Sequence, residues 1–228
     1  MLWRVEKQKG KTQMQIYLIR HGETDWNKAN RIQGQVDIPL NDYGIRLAEE
    51  TAEALKEMPF EAVFCSPYVR ARKTADIITE AVRRRYQEAH KEELPFTIDN
   101  RLKEIGFAHR EGAYIAEIVK NPEDPVYNFL RRPERYQPEA GGESFQELFA
   151  RSKNFMEEII RPLEGIYETV LIVAHSALIH SIINPLAGLG LEDFWKIPFK
   201  NCNVSTVQLE HGVFRLEEAS IQYCACRV

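Results

Sequence analysis

Three short runs constrain the fold more than any other feature of the chain: MQIYLI (14 to 19), EAVFC (61 to 65) and TVLIVA (169 to 174). Each is apolar nearly throughout instead of alternating, as expected for strands covered on both faces in an α/β sheet. Amphipathic segments separate them. Ile45, Ala48, Ala52 and Leu55 recur at steps of three and four behind a cap at Asn41 or Asp42 and stop at Pro59, and another helix is expected over 69–85. Ser144 followed by Glu147 is a capping-box arrangement, with Phe145, Leu148, Ser152, Phe155 and Ile159 marking one helix face as far as Pro162. Near the end, NVSTVQLEHGVFRLEEA reads as a hairpin turning at His211-Gly212, an addition to the sheet edge through which two copies could pair as a homodimer. Residues 105 to 141, rich in Pro, Arg and Glu with weak periodicity, are expected to form an inserted cap.

At 228 residues, 44% of them hydrophobic, the chain is long enough for one well-buried domain, expected over 14–228. Its net charge of −4 gives no general attraction to nucleic acid or to an anionic membrane surface, so any affinity for phosphate must come from a local cluster. No apolar stretch approaches the ~20 residues that span a bilayer. The first 13 residues, MLWRVEKQKGKTQ, lack the continuous apolar centre of a signal peptide and are expected to be a tail, or an upstream reading of a start at Met14. Cys65, inside AVFCSP, is expected to be a reduced buried thiol, and Cys65, Cys202, Cys224 and Cys226 show no regular framework. Cys224 and Cys226 alone are too few for a structural zinc site. A reducing cytoplasm is the expected compartment.

In parallel α/β sheets, ligands bind outside the carboxyl ends of the strands. The first run is followed by Arg20-His21, the second by SPYVRARKT with Arg70 and Arg72, and the third by His175 with Ser176 opening a helix. Guanidinium groups match phosphate oxygens through charge-assisted bonds worth roughly 1.5 to 3 kcal/mol each, and the helix after His175 would add backbone N–H donors. Neutral imidazole is a competent nucleophile near pH 7, so His21 is a candidate to take a phosphoryl group. The leaving alcohol then needs a proton from a carboxylic acid, for which Glu104 and Glu23 are the candidates. His175 and His180 lie about 140° apart around a helix, a poor metal clamp, and no metal site is expected.

The segments LIRHGETDWN, SPYVRARKTA, RLKEIGFAHREG, GGESF and VLIVAHSALIH, in that order, resemble the histidine phosphatase superfamily, which includes the cofactor-dependent phosphoglycerate mutases. The resemblance implies a three-layer α/β/α sandwich with a mostly parallel central sheet and a small cap. It also implies that His21 becomes phosphorylated, that Arg20 and Arg70 hold the phosphoryl oxygens, that Glu104 is the proton donor, and that His175 is a phosphoryl ligand. Asn27 matches an asparagine near the phosphate, and Glu143-Ser144 stands at the family's G-G-E-S helix entry. Glu143 and Ser176 are therefore expected at the phosphate site, whereas Arg72 is expected on a solvated helix face and Glu23 in a supporting role.

The chain departs from the family pattern at Ala108, Ser176 and His180, the last two of which are expected to influence specificity. The R-H-Y-G motif of the mutase insert is absent, and Arg131-Arg132 is read as a solvated turn before Pro133. The expected activity is metal-independent hydrolysis of a small phosphorylated metabolite with no cofactor. A phosphoglycerate mutase, primed by 2,3-bisphosphoglycerate, is the runner-up, and a silent phospho-ligand-binding protein the third reading. Neither nucleic acid nor membrane is expected as a partner.

Overall fold

A computed structural model describes residues 13–223; residues 1–12, Cys224 and Cys226 lie outside them. The three apolar runs form β1 (Gln13–Arg20), β2 (Ala62–Cys65) and β4 (Thr169–Ala174), joined by β3 (Phe96–Ile98), β5 (Val204–Glu210) and β6 (Val213–Ile221). They make one sheet in the order β3-β2-β4-β1-β5-β6. The first four strands in that order pair parallel, while β5 runs antiparallel to β1 and β6 to β5. The sheet is mostly parallel, as expected, and the hairpin extends one edge. Its turn residues His211 and Gly212 both have positive φ, 51° and 73°, which a two-residue hairpin of matching twist requires. β3, three residues long, is too short for a periodic signal.

Successive strand residues face opposite sides, and both sides are covered. On one, Ile16, Leu18, Val170 and Ile172 pack in a core with α6 (Phe145–Phe155) and α7 (Ser176–Leu186). On the other, Ile19, Val63, Cys65, Leu171 and Val173 pack with residues of α2 (Asp42–Leu55) and α3 (Val69–His90). This two-sided burial is why the runs do not alternate, and it makes the three-layer sandwich.

Asn41, not Asp42, caps α2, its Oδ1 accepting from the Gly44 N–H at 2.8 Å. The Ser144–Glu147 capping box opens α6. One expectation fails downstream: residues Met156–Ile160 form a π turn, whose extra residue rotates the face, so Ile160 is fully buried and Ile159 only half-buried. Residues 105–141 hold α4 (Ile115–Ile118), α5 (Tyr127–Arg131) and short 3-10 turns, and their Ile105, Phe107, Ile118 and Phe129 join the core beneath α6 and α7. A short α1 (Asp25–Lys28) follows β1. Cys65 and Cys202 are buried free thiols. No helix among the described residues is long and apolar enough to cross a membrane.

Candidate active site

β1 and β4 run side by side with Arg20 opposite Ala174, and the His21 N–H donates to the Ala174 carbonyl at 3.0 Å. The residues just beyond the two strand ends are therefore neighbours, and the His21 and His175 rings lie 5.1 Å apart, centroid to centroid. Both are buried. The chain leaves β1 through Gly22 because α2 crosses close by: a Cβ there would stand 2.5 Å from the Gly44 carbonyl oxygen.

His21 Nδ1 lies 2.7 Å from the Gly22 carbonyl oxygen. A carbonyl only accepts, so Nδ1 carries the proton and the lone pair is on Nε2. Burial, reinforced by the Arg70 and Arg20 charges, holds the imidazole pKa well below its ordinary value. His21 is thus held toward its neutral form, with no described hydrogen-bond partner at Nε2.

Arg20 donates from Nη1 to the Phe199 carbonyl at 2.5 Å. Arg70 is fully buried and donates from Nη1 to Val36 O at 2.7 Å and from Nη2 to Gly34 O at 2.8 Å. The Nε of each arginine has no protein partner, and neither guanidinium forms an ion pair with a described carboxylate. The loop that grips Arg70 also starts its helix. Tyr68 provides no side-chain cap for α3, and Asp37 Oδ1 accepts from the Val69 N–H at 2.8 Å instead. Thr74, one turn on, ties the two halves together: its Oγ1 accepts from the Gly22 N–H at 3.0 Å and donates to Arg70 O at 2.7 Å.

His175 follows β4 and sits 2.7 Å through Nε2 from Ser66 Oγ, just past β2, while its buried Nδ1 has no partner. Burial and the Arg70 charge also keep it well below the usual histidine range. Glu104 Oε1 accepts from Ile105 N at 3.0 Å and Leu178 N at 3.2 Å, and Oε2 from Ala177 N at 3.2 Å. The first-turn donors of α7 expected for phosphate thus hold the Glu104 carboxylate. Asn27 is oriented through its Oδ1, which accepts from Thr24 N at 3.2 Å and from Asn201 Nδ2 at 3.3 Å.

Arg20, His21, Asn27, Arg70, Glu104 and Ser176 all wall one cavity of about 250 Å³. His175 lies behind His21 rather than on the wall. Glu143 does not reach the cavity. Its carboxylate is held by the Arg151 guanidinium at 2.5 and 2.9 Å and by Gly106 N at 3.3 Å, which locks the entry of α6 to the chain after Glu104. His180 is buried off the wall as well, with Nδ1 2.7 Å from Ser176 O and Nε2 2.8 Å from Ile197 O. Neither Glu143 nor His180 is placed to touch a ligand in the cavity. Glu23 accepts from Asn41 Nδ2 at 3.0 Å and so braces the cap of α2. Arg72 is exposed, as are Arg131 and Arg132.

Sequence reasoning missed Asn201, whose Nδ2 donates to the His21 carbonyl at 2.9 Å, and Ser66, Thr74 and Asp37. It also missed the remaining wall, which includes Arg31, Gln33, Phe129, Leu130 and Trp195. Of these only Ser66 and Thr74, the two ends of SPYVRARKT, stood in a segment already singled out for chemistry.

Residues 16–222 match the histidine phosphatase superfamily (branch 1). The chain is 30% identical over 206 residues to the uncharacterized phosphatase PhoE of Bacillus subtilis, covering 90% of this chain and 94% of the relative. It is 26% identical over 197 residues to phosphoserine phosphatase 1 of Hydrogenobacter thermophilus, covering 86% and 87%. Among solved structures it superposes on Bacillus stearothermophilus YhfR with a TM-score of 0.80 at 28% identity, covering 92% of this chain and 98% of that one.

Proposed function

The chain belongs to the histidine phosphatase superfamily (branch 1), and on that premise we propose that it is a metal-independent phosphomonoester hydrolase acting through a phosphohistidine on a small phosphorylated metabolite. The observation that carries this reading is the state of His21: Nδ1–H is committed to the Gly22 carbonyl, which leaves the Nε2 lone pair available on a cavity wall shared with Arg20 and Arg70, neither of which forms an ion pair with a described carboxylate. Arg20 and Arg70 bind the phosphoryl oxygens and offset the charge that accumulates in transfer. His21 Nε2 attacks phosphorus in line, the P–O bond to the alcohol breaks, and Glu104 gives the departing oxygen a proton. Water then attacks the phosphohistidine and passes a proton to Glu104 as the P–N bond breaks, which returns neutral His21 and releases inorganic phosphate. His175, kept neutral by its burial, packs against the His21 ring and supports its position. The buried thiol of Cys65 supports a reducing, cytoplasmic location.

The test is covalent trapping. Brief incubation with labelled 4-nitrophenyl phosphate, quenched in alkali because phosphohistidine is acid-labile, should leave stoichiometric phosphate on the wild type and none on His21→Asn. A broad panel of monoesters should release inorganic phosphate in the presence of chelator. Interconversion of phosphoglycerates with 2,3-bisphosphoglycerate, much faster than phosphate release, would instead establish the mutase. Binding without trapping or release across the panel would establish a silent receptor.

A further inference from the structure

We infer that the alcohol half of the substrate is a compact apolar body, a branched aliphatic chain or a single aromatic ring, rather than an amino acid or a polyol. The inference rests on the hydrolase reading above and concerns the part of the cavity that the phosphoryl chemistry does not use. Beyond Arg20, His21, Asn27, Arg70 and Glu104 the wall is mostly apolar, with Ile32, Phe107, Ile115, Phe129, Leu130 and Trp195 outnumbering the polar Arg31, Gln33 and Ser176. It is a fixed surface: Trp195 Nε1–H donates to the Phe129 carbonyl at 2.7 Å, and the Phe129 and Trp195 rings meet edge to face at 5.1 Å. This hydrogen bond joins α5 to the segment after α7, so the apolar wall does not have to be assembled by the ligand.

The polar groups argue the same way. A phosphorylated amino acid would bring an ammonium group, and the only carboxylate on the described wall, Glu104, is already held by three backbone N–H groups. A polyol would bring several hydroxyls, each needing a partner once desolvated, against the side chains of Gln33 and Ser176. Arg31 is turned onto Tyr114, its guanidinium 4.1 Å from the ring centroid. Against the apolar side chains an apolar body gains the free energy of leaving water, which outweighs the few polar groups, Gln33 Oε1 among them, that it leaves unpaired. The cavity volume of about 250 Å³ suits one branched chain or one ring beside the phosphoryl group.

The experiment compares kcat/KM for 2-phenylethyl phosphate and 3-methylbutyl phosphate with that for O-phosphoserine and glycerol 1-phosphate. All four release primary alcohols, so differences in leaving-group chemistry are small. At about 0.8 kcal/mol, or roughly fourfold, per buried methylene, two to three methylene equivalents favour the apolar esters by roughly 15- to 60-fold. In Leu130→Gln, and independently in Ile115→Gln, the ratio of apolar to polar ester should fall by about tenfold; both residues are only half-buried. A wild-type enzyme that prefers phosphoserine or glycerol phosphate overturns the inference, as does a ratio unchanged in both variants. Calorimetry with the inert analogues 3-phenylpropylphosphonate and 2-amino-4-phosphonobutanoate separates this from the catalytic reading. If no ester turns over yet the phenyl compound binds at least tenfold more tightly, the hydrolase reading fails and the apolar site stands; the reverse affinity order overturns the site.

Discussion

Lowering the pH from 7.5 to 5.5 should destabilise the fold through its two active-site histidines, by an amount that follows from their burial. In the unfolded chain both titrate near 6.5. In the folded chain burial, then the Arg70 charge, holds each well below that value. Through the window below 6.5 the unfolded state therefore binds more protons, so stability is complete above 6.5 and is lost as pH falls toward the folded pKa values. For a group that stays neutral when folded, the loss between pH 7.5 and 5.5 is about 1.4 kcal/mol, so His21 and His175 together account for roughly 2.7 kcal/mol. His180, also lowered by burial, adds to this. The assay is urea unfolding followed by far-ultraviolet circular dichroism at both pH values, in buffers free of phosphate so that no anion is bound. The wild type is compared with His21→Asn/His175→Asn, which keeps the polarity of the site and removes both titrating rings. The difference in pH dependence between the two proteins should be about 2 to 3 kcal/mol. A double variant that loses as much stability as the wild type would refute the reasoning, because it would mean that neither imidazole is held neutral.

Two further substitutions probe the scaffold and the acid. Thr74→Val removes the acceptor of the buried Gly22 N–H and the donor to Arg70 O; the unfolding free energy should fall by about 1 to 3 kcal/mol, and an unchanged chemical-denaturation midpoint would show that the strap between nucleophile and arginine carries no load. Glu104→Gln should cut kcat for alkyl esters by about 100-fold or more and for 4-nitrophenyl phosphate by much less, since an activated leaving group needs little protonation; equal losses in steady-state assays of the two would remove Glu104 from the acid role.

How much of this was legible before the structure depends on what kind of atom does the work. Arg20, His21, Arg70 and His175 could be placed near one another because strand ends in a parallel sheet deliver the residues that follow them to one rim, although His175 stops short of the cavity wall. The groups that hold them could not. Arg70 is gripped by the carbonyls of Gly34 and Val36, Arg20 by that of Phe199, and His21 by that of Gly22. A backbone carbonyl is present at every residue and leaves no mark in the sequence. Glu143 was misplaced because it adjoins a motif, yet adjacency says nothing of direction, and Arg151 eight residues on claims its carboxylate. The π turn after α6 was invisible for a related reason: a regular helical period selects Ile159, and only the packing puts Ile160 in the core instead.

The order of strands has a consequence for the chain as it is made. β1, which leads into His21, lies between β4 and β5, so its first partner is synthesised only with residues 169–174 and its second with 204–210. At synthesis rates of about 5 to 20 residues per second, β1 waits roughly 8 to 30 s for its first neighbour. During that interval a strand that is apolar on both faces is unpaired on both edges, the condition in which strands associate with the wrong chain. Asn201 and Phe199, which fix His21 and Arg20, come later still. A nascent chain that already carries His21 therefore has no assembled site until residues 199–201 have emerged.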